Sequence, residues 1–278
     1  TVGYERRFND SLKFKDKERF IRYMQEDQPL KPANILNIVA TNQGKIPLTK
    51  EYPKARALTA VQVKEMMADG AVVVDGRSSA TFGAGHIPGS INVQLSSSEF
   101  EQRVGWMTPD DAPLILLMDE DKEAQEAVYK MAFIALHSRV AGFLEGGIDA
   151  WMEAGNHAEC VPQMDVHDLH HKLSVNGMQV LDVRDEEEWD EGHIAKAHHL
   201  PYTRMVEQLT SPAMLGTLPL SKEQHIAVTC ATGKRSSTAI SVMKREGFQH
   251  LYNVTGGMEA WEAAGFPMLD AEGKVCNI

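Results

Sequence analysis

The chain has 278 residues, of which 43% are hydrophobic and 24% charged, with a formal net charge of −11. That length suits about two domains, and the hydrophobic share supplies ordinary cores, which excludes a disordered or fibrous chain. The acidic balance, with no basic cluster against it, excludes a nucleic-acid face, and no apolar run approaches the length that spans a bilayer. Cys160, Cys230 and Cys276 are an odd, widely spaced set. They read as free thiols in a reducing compartment, the cytoplasm, rather than as a disulfide framework. The chain begins on Thr1, so further sequence is expected ahead of it.

Residues 1–54 do not read as a complete domain. Lys17 to Met24 carries a helical pattern with Phe20, Ile21 and Met24 on one face; Pro29, Pro32, Gly44, Pro47 and Pro53 then break the chain. The apolar residues Phe8, Phe14, Phe20, Ile21, Ile35, Leu36, Ile38 and Val39 are too few for a core. The segment is expected to lie on something else or to leave them exposed.

From residue 55 the chain repeats itself. Val72-Val73-Val74-Asp75-Gly76-Arg77 recurs as Val180-Leu181-Asp182-Val183-Arg184, and Phe82-x-x-Gly85-His86-Ile87 as Trp189-x-x-Gly192-His193-Ile194. Gly146-Gly147-x-x-x-Trp151 recurs as Gly256-Gly257-x-x-x-Trp261. Residues 55–160 and 161–278 are therefore two homologous domains, with their boundary between His157 and Asp165. In the first, Val72–Val74, Leu114–Leu117 and Arg139–Phe143 read as strands, and Thr59–Ala68, Glu123–Leu136 and Ile148–Ala154 as helices. In the second, the strands are Val180–Val183, Ile226–Thr229 and His250–Asn253. Continuous apolar strands alternating with helices predict an α/β fold, each domain a mostly parallel sheet flanked by helices.

One loop carries reactive chemistry. The buried strand Ile226–Thr229 runs into Cys230-Ala231-Thr232-Gly233-Lys234-Arg235-Ser236, and helical spacing resumes over residues 237–244. A cysteine at a strand-to-helix turn, followed by glycine and two cations, meets backbone amides and the positive end of a helix. Such a loop stabilises an anion and favours a thiolate. The pattern points to a nucleophilic cysteine, against the alternative of an inert core thiol.

The first repeat lacks this chemistry. Aligned on its strand, Asp119 takes the cysteine position, Lys122 the glycine position and Ala124 the arginine position. Carboxylates supply no sulfur nucleophile and repel anions from a loop of amides, so this repeat is expected to be a structural partner rather than a recognition or autoinhibitory domain. Asp75 with Arg77, and Asp182 with Arg184, are expected as ion pairs at strand ends. His86 and His193 suit a fold role, Trp151 and Trp261 packing. His170, His171, His198 and His199 lack metal-ligand spacing and read as surface residues. Cys160 and Cys276 read as bystander thiols, with a resolving disulfide partner for Cys230 as the alternative.

Asp182-Val183-Arg184-x-x-x-Glu188-Trp189-x-x-Gly192-His193-Ile194, Cys230-x-x-Gly233-x-Arg235-Ser236 and Gly256-Gly257-x-x-x-Trp261 together resemble a rhodanese domain, over residues 55–278. The resemblance implies a sulfurtransferase that carries sulfane sulfur as a persulfide on Cys230, from thiosulfate or a low-molecular-weight persulfide to a thiol or cyanide. It implies that the amides from Ala231 to Ser236, Thr232 and Gly233 among them, cradle the sulfur. Lys234 and Arg235 would hold the anionic donor, with Arg184 as a further substrate-binding candidate. It implies no cofactor beyond the covalently held sulfur. Lys196 departs from the family, which often carries glycine after the Gly-His-Ile turn. Cysteine-dependent phosphatases and arsenate reductases are the rival chemistry, but their loops usually place five residues between cysteine and arginine, where this chain has four. The tighter ring suits a sulfur atom better than a phosphoryl group. A redox sensor or interaction platform without turnover is the other alternative.

Val2-Gly3-Tyr4-Glu5-Arg6-Arg7-Phe8-Asn9, Phe20-Ile21, Pro29-x-Lys31-Pro32 and Asn42 resemble the C-terminal end of metallo-β-lactamase-fold persulfide dioxygenases. That resemblance implies an upstream iron-dependent domain. Its His-x-His-x-Asp-His motif does not occur in this chain.

Overall fold

The computed structural model of the chain describes residues 1–25, 31–48, 54–175, 178–210 and 219–276. Pro29 and Pro53, read above as chain breaks, lie outside them. The chain divides into two compact units, Thr1–Pro32 and Ala33–Ile278. The smaller unit holds helices over Val2–Phe8 and Lys17–Gln25 joined by a 3-10 turn at Asp10–Lys13, and none of its described residues is buried. Phe14 packs at a tilt against Tyr23 with ring centroids 4.7 Å apart, while Phe8, Phe20 and Ile21 stay exposed. The expected tail 1–54 is thereby split. Ala33 is buried in the larger unit, its amide donating to Gln102 Oε1 at 2.9 Å, and the helix Ile35–Asn42 follows it.

The larger unit contains two five-stranded sheets of the same topology. The first comprises β1 (Ala57–Leu58), β2 (Val72–Asp75), β3 (Ile91–Asn92), β4 (Leu114–Leu117) and β5 (Val140–Leu144), in the order β1-β5-β4-β2-β3. The second comprises β6 (Gln163–Met164), β7 (Gln179–Asp182), β8 (His198–His199), β9 (Ile226–Thr229) and β10 (Leu251–Val254), in the order β6-β10-β9-β7-β8. Every pairing within these two sheets is parallel. Each central strand, β4 and β9, is buried along its length, as an apolar run covered by helices on both faces should be. A hairpin of β11 (Met268–Leu269) and β12 (Val275–Cys276) follows.

Most sequence-based boundaries shift by one residue, but one helix is shorter than its periodicity suggests. The helix expected over Glu123–Leu136 ends at Ala132, because Ala135 turns left-handed (φ 58°) and a 3-10 turn covers Leu136–Arg139. The turn drives Leu136 into the core. It also lets Arg139 donate to the carbonyl of Ala112 at 3.1 Å and to Thr108 Oγ1 at 3.1 Å, which anchors the start of β5.

A single hydrophobic cluster runs through both domains, joining Phe82, Leu116 and Met131 of the first to Val228, Ile240 and Met243 of the second. The helix Lys234–Arg245 lies in it, and every residue from Ser236 to Met243 is buried. Trp151 and Trp261 anchor separate outer clusters, their indoles donating to the carbonyls of His157 (2.9 Å) and Pro267 (3.2 Å).

The paired strand-end ions form as the repeat suggests. Arg77 Nη2 sits 2.6 Å from Asp75 Oδ2 and donates to the carbonyl of Gly85 at 2.7 Å; Arg184 repeats this with Asp182 and Gly192 at 2.7 Å each. Burial pushes Asp75 above its ordinary value despite Arg77. His86, whose Nδ1 lies 3.0 Å from the carbonyl of Phe82, is pushed down to about 4, mainly by burial. Between that value and about 6.5 the unfolded chain binds a proton that the folded chain does not. Stability from His86 is therefore present above pH 6.5 and is lost as pH falls toward 4, by about 3 kcal/mol at most. Urea unfolding at a series of pH values should show this slope, and His86→Asn should flatten it. An equal slope in both proteins would remove His86 as its source.

His198 and His199 are half-buried rather than free on the surface. His199 stacks on Trp189 at 4.6 Å, and its Nε2 lies 2.8 Å from the carbonyl of Arg184. Both belong to a strand, β8, whose position the histidine spacing does not reveal: Trp189 covers His199, and His198 Nε2 lies 2.8 Å from Gln179 Oε1. Among the described residues no helix is long and apolar enough to cross a membrane.

Candidate active site

β9 is the middle strand of its sheet, and Cys230 follows its carboxyl end, where open α/β sheets place their ligands. The thiol is 1% exposed. Gly233 adopts φ +92°, which reverses the chain so that its amide donates to Cys230 Sγ at 3.1 Å and the helix Lys234–Arg245 begins at once. A side chain at Gly233 would be strained by that φ and would stand 3.0 Å from the carbonyl of Val254. Ser236 Oγ lies 3.6 Å from the sulfur and donates to Asn253 Oδ1 at 2.6 Å, while Asn253 Nδ2 donates to Gln163 Oε1 at 2.8 Å. Asn253 and Gln163 were not singled out in the sequence. A polar residue inside the otherwise apolar run of β10 was the available signal.

The second glycine pair grips the loop from below. The amides of Met258 and Glu259 donate to the carbonyls of Cys230 (2.8 Å) and Ala231 (3.0 Å). Gly257 makes this approach possible: a Cβ there would lie 2.1 Å from the carbonyl oxygen of Cys230. The loop is thus fixed through its backbone, leaving the sulfur to the Gly233 amide and the amino end of the helix.

The cations are arranged differently from expectation. Arg235 turns to the 186–191 helix, with Nη1 2.5 Å and Nη2 2.6 Å from the carboxylate of Glu188, and Nη1 3.2 Å from Asp185. Burial alone would raise Glu188, but its bonds to Arg235 outweigh burial and hold it below the usual carboxylate range. Asp185, with the weaker contact, is pushed up by burial. Lys234 is exposed on the first helical turn, as is Thr232 in the loop. Arg184 is committed to Asp182 and to the carbonyl of Gly192, yet it also walls a groove of about 280 Å³ beside Ala231. The other walls include Glu188, Glu191, Glu259 and Glu262.

The register of the sheets corrects the comparison of the two repeats. Asp75 pairs with Leu117 and Asp182 with Thr229, so Met118, not Asp119, stands at the Cys230 position. Asp121 then replaces Gly233, Glu123 replaces Arg235 and Ala124 replaces Ser236. β4 and Met118 form one unbroken apolar run, which hides the end of the strand from a sequence alignment. The replaced loop is filled. A Cβ on Gly76 would lie 2.4 Å from the Met118 sulfur, so that glycine makes room for the thioether; Val183 stands there in the second repeat. Asp121 turns its carboxylate back on the amide of Gly146, at 3.2 and 3.3 Å.

Lys196 has φ 64°, where the first repeat has Gly89 at φ +76°. The turn is kept and the lysine accepts the left-handed backbone, at a cost on the order of 1 kcal/mol. Cys160 is exposed, with Sγ 3.1 Å from the carbonyl of Ala84, and Cys276 is half-buried on β12. Among the described residues no group of three or more His, Cys, Asp or Glu side chains is placed to hold a metal ion.

The family model of the rhodanese-like domain matches residues 59–154 and 165–264. A curated relative, "Protein HIGH ARSENIC CONTENT 1, mitochondrial" of Arabidopsis thaliana, is 34% identical over 112 residues, 39% of this chain and 66% of the relative. The chain thus spans just under two thirds of that protein's length. "Thiosulfate sulfurtransferase GlpE" of Ectopseudomonas mendocina is 29% identical over 103 residues, 37% of this chain and 86% of the relative. Among solved structures, the rhodanese-like domain of the Anabaena sp. Alr3790 protein is 32% identical, covering 39% of this chain and 79% of that one with a TM-score of 0.35.

Proposed function

Since this chain belongs to the rhodanese family, with two such domains in tandem, we propose that it is a sulfurtransferase that carries sulfane sulfur as a persulfide on Cys230. The observation that carries this reading is the Gly233 amide on the Cys230 sulfur at the amino end of a buried helix. A thiolate there is held by a hydrogen bond and by the helix dipole, both of which also suit the charged terminal sulfur of a persulfide. With thiosulfate as donor, the Cys230 thiolate attacks the outer sulfur; the new S–S bond forms as the old one breaks, and sulfite leaves with the electron pair. A thiolate or cyanide then attacks the terminal sulfur, takes it as a persulfide or thiocyanate, and restores the Cys230 thiolate. A low-molecular-weight persulfide serves as donor in the same way, its thiolate leaving in place of sulfite. The step needs no oxidant and no cofactor beyond the bound sulfur. The first domain, with Met118 at the cysteine position, carries none.

The resemblance of residues 2–42 to persulfide dioxygenases supports a further reading, in which this chain follows an iron-dependent domain in a longer protein. Sulfite produced there and sulfane sulfur on Cys230 would combine as thiosulfate. An upstream reading frame lacking a His-x-His-x-Asp-His motif would remove this fusion.

Steady-state production of thiocyanate from thiosulfate and cyanide tests the activity. Turnover supports the enzyme, and none with either thiosulfate or a persulfide donor would leave a redox or interaction module. Arg235→Ala is expected to lower kcat/KM for thiosulfate ten- to a hundredfold, because hydrogen bonds to charged groups are worth about 1.5–3 kcal/mol and this guanidinium ties the loop to Glu188. An unchanged kcat/KM would take Arg235 out of the site.

A further inference from the structure

The first domain has no thiol at its loop, yet it bonds directly to the helix that carries the active loop. Asn92, at the end of β3, is fully buried. Its Nδ2 donates to the carbonyls of Asp75 (2.9 Å) and Arg77 (3.0 Å), which fixes the amide so that Oδ1 faces the second domain. There Oδ1 accepts from Ser237 Oγ at 2.6 Å, and the Asn92 backbone amide donates to Ser241 Oγ at 3.1 Å. Ser237 is the neighbour of Ser236, whose hydroxyl lies 3.6 Å from the Cys230 sulfur.

The same helix face continues the contact. Ser237, Ser241, Lys244 and Arg245 are spaced as one stripe. Lys244 Nζ is 2.8 Å from Glu159, and Arg245 Nη1 donates to the carbonyl of Gly89 at 3.1 Å. Apolar packing of Ala239, Ile240 and Met243 sets how closely the helix approaches. Packing alone is non-directional and leaves rotation and axial slide weakly fixed, whereas hydrogen bonds near the first turn fix both. In the second domain the register places His199 at the position of Asn92, bonded to the carbonyl of Arg184. The inward anchor is thus shared by both repeats, while in the first the asparagine also reaches across to the active helix.

We propose that Asn92 of the first domain is a positioning residue for Cys230, holding through Ser237 the helix whose amino end faces the sulfur. This rests on the reading of Cys230 as the sulfur carrier. It gives the first domain a part in catalysis without chemistry of its own, because a small misplacement of a reacting group lowers the rate of its step.

The test uses the full chain with Asn92→Ala, Ser237→Ala and the double variant, assayed with thiosulfate and cyanide and by thermal unfolding. Each single variant is expected to lower kcat about tenfold with KM for thiosulfate within about twofold, and the double variant to be no slower than the slower single one. Should Asn92→Ala not fold, Ser237→Ala alone decides, since it removes one hydroxyl and leaves Asn92 in place. Folded variants that keep kcat within about twofold, or losses that multiply in the double variant, would overturn the proposal. If the unaltered protein shows no turnover with thiosulfate or with a persulfide donor, the sulfur-carrier reading has failed. The rate of Cys230 alkylation by iodoacetamide, resolved by peptide mass, then decides the positioning role. A change of about threefold or more in Ser237→Ala supports it, and an unchanged rate overturns it.

Discussion

Cys230→Ser is expected to abolish sulfur transfer, lowering kcat by at least about a thousandfold, while the protein unfolds at nearly the same temperature. The serine oxygen is smaller than the sulfur but overfills nothing and can still accept from the Gly233 amide, so the loop has no reason to rearrange. It cannot carry sulfane sulfur, and the other two thiols do not substitute for it. Cys160 lies against the carbonyl of Ala84 in the first domain, and Cys276 on the terminal hairpin. Cys160→Ser and Cys276→Ser should therefore retain most of the activity. Turnover by Cys230→Ser at the unaltered rate would end the covalent account.

Gly257→Ala should be the most damaging substitution that leaves the reactive group itself intact. Its Cβ would stand 2.1 Å from the carbonyl oxygen of Cys230 and 2.5 Å from that of Ala231, and both are backbone atoms that cannot turn aside. The φ of +54° adds strain. The first repeat supplies a matched control. Gly147 has φ +59°, but a Cβ there would be 3.4 Å from the carbonyl of Met118, an ordinary contact. Gly147→Ala is thus expected to cost only the backbone term, on the order of 1 kcal/mol. Gly257→Ala should cost at least about 3 kcal/mol and most of the activity, since the loop must move to admit the methyl. Urea unfolding of both variants, with turnover measured alongside, checks the difference. Equal losses would mean that the glycine pair serves the turn alone and does not seat the loop.

The parts of this architecture that follow local rules were legible in the sequence. Ile226–Thr229 reads as a buried strand because it is a short β-branched run, and it is one. The repeat of Asp-x-Arg announces ion pairs that both domains form. What was not legible depends on contacts between distant segments. Arg235 and Lys234 look in sequence like a pair of free cations beside the cysteine; the carboxylates that hold Arg235 lie 47 and 50 residues earlier, on another element. Met118 hides at the end of an apolar run, and only the strand register shows that it occupies the cysteine position. Asn92 follows Ile91 on a two-residue strand and carries no motif. Its partner Ser237 is 145 residues away, on a helix buried between the two domains.

The central claim is that sulfur resides covalently on Cys230 between donor and acceptor. Peptide-resolved mass spectrometry after brief exposure to thiosulfate, with and without a following addition of cyanide, tests it most directly. The account predicts one added sulfur atom on the peptide containing Cys230, absent from those containing Cys160 and Cys276, and lost on addition of cyanide. An unmodified Cys230 in a preparation that turns over, or the added sulfur on Cys160 or Cys276 instead, would contradict it.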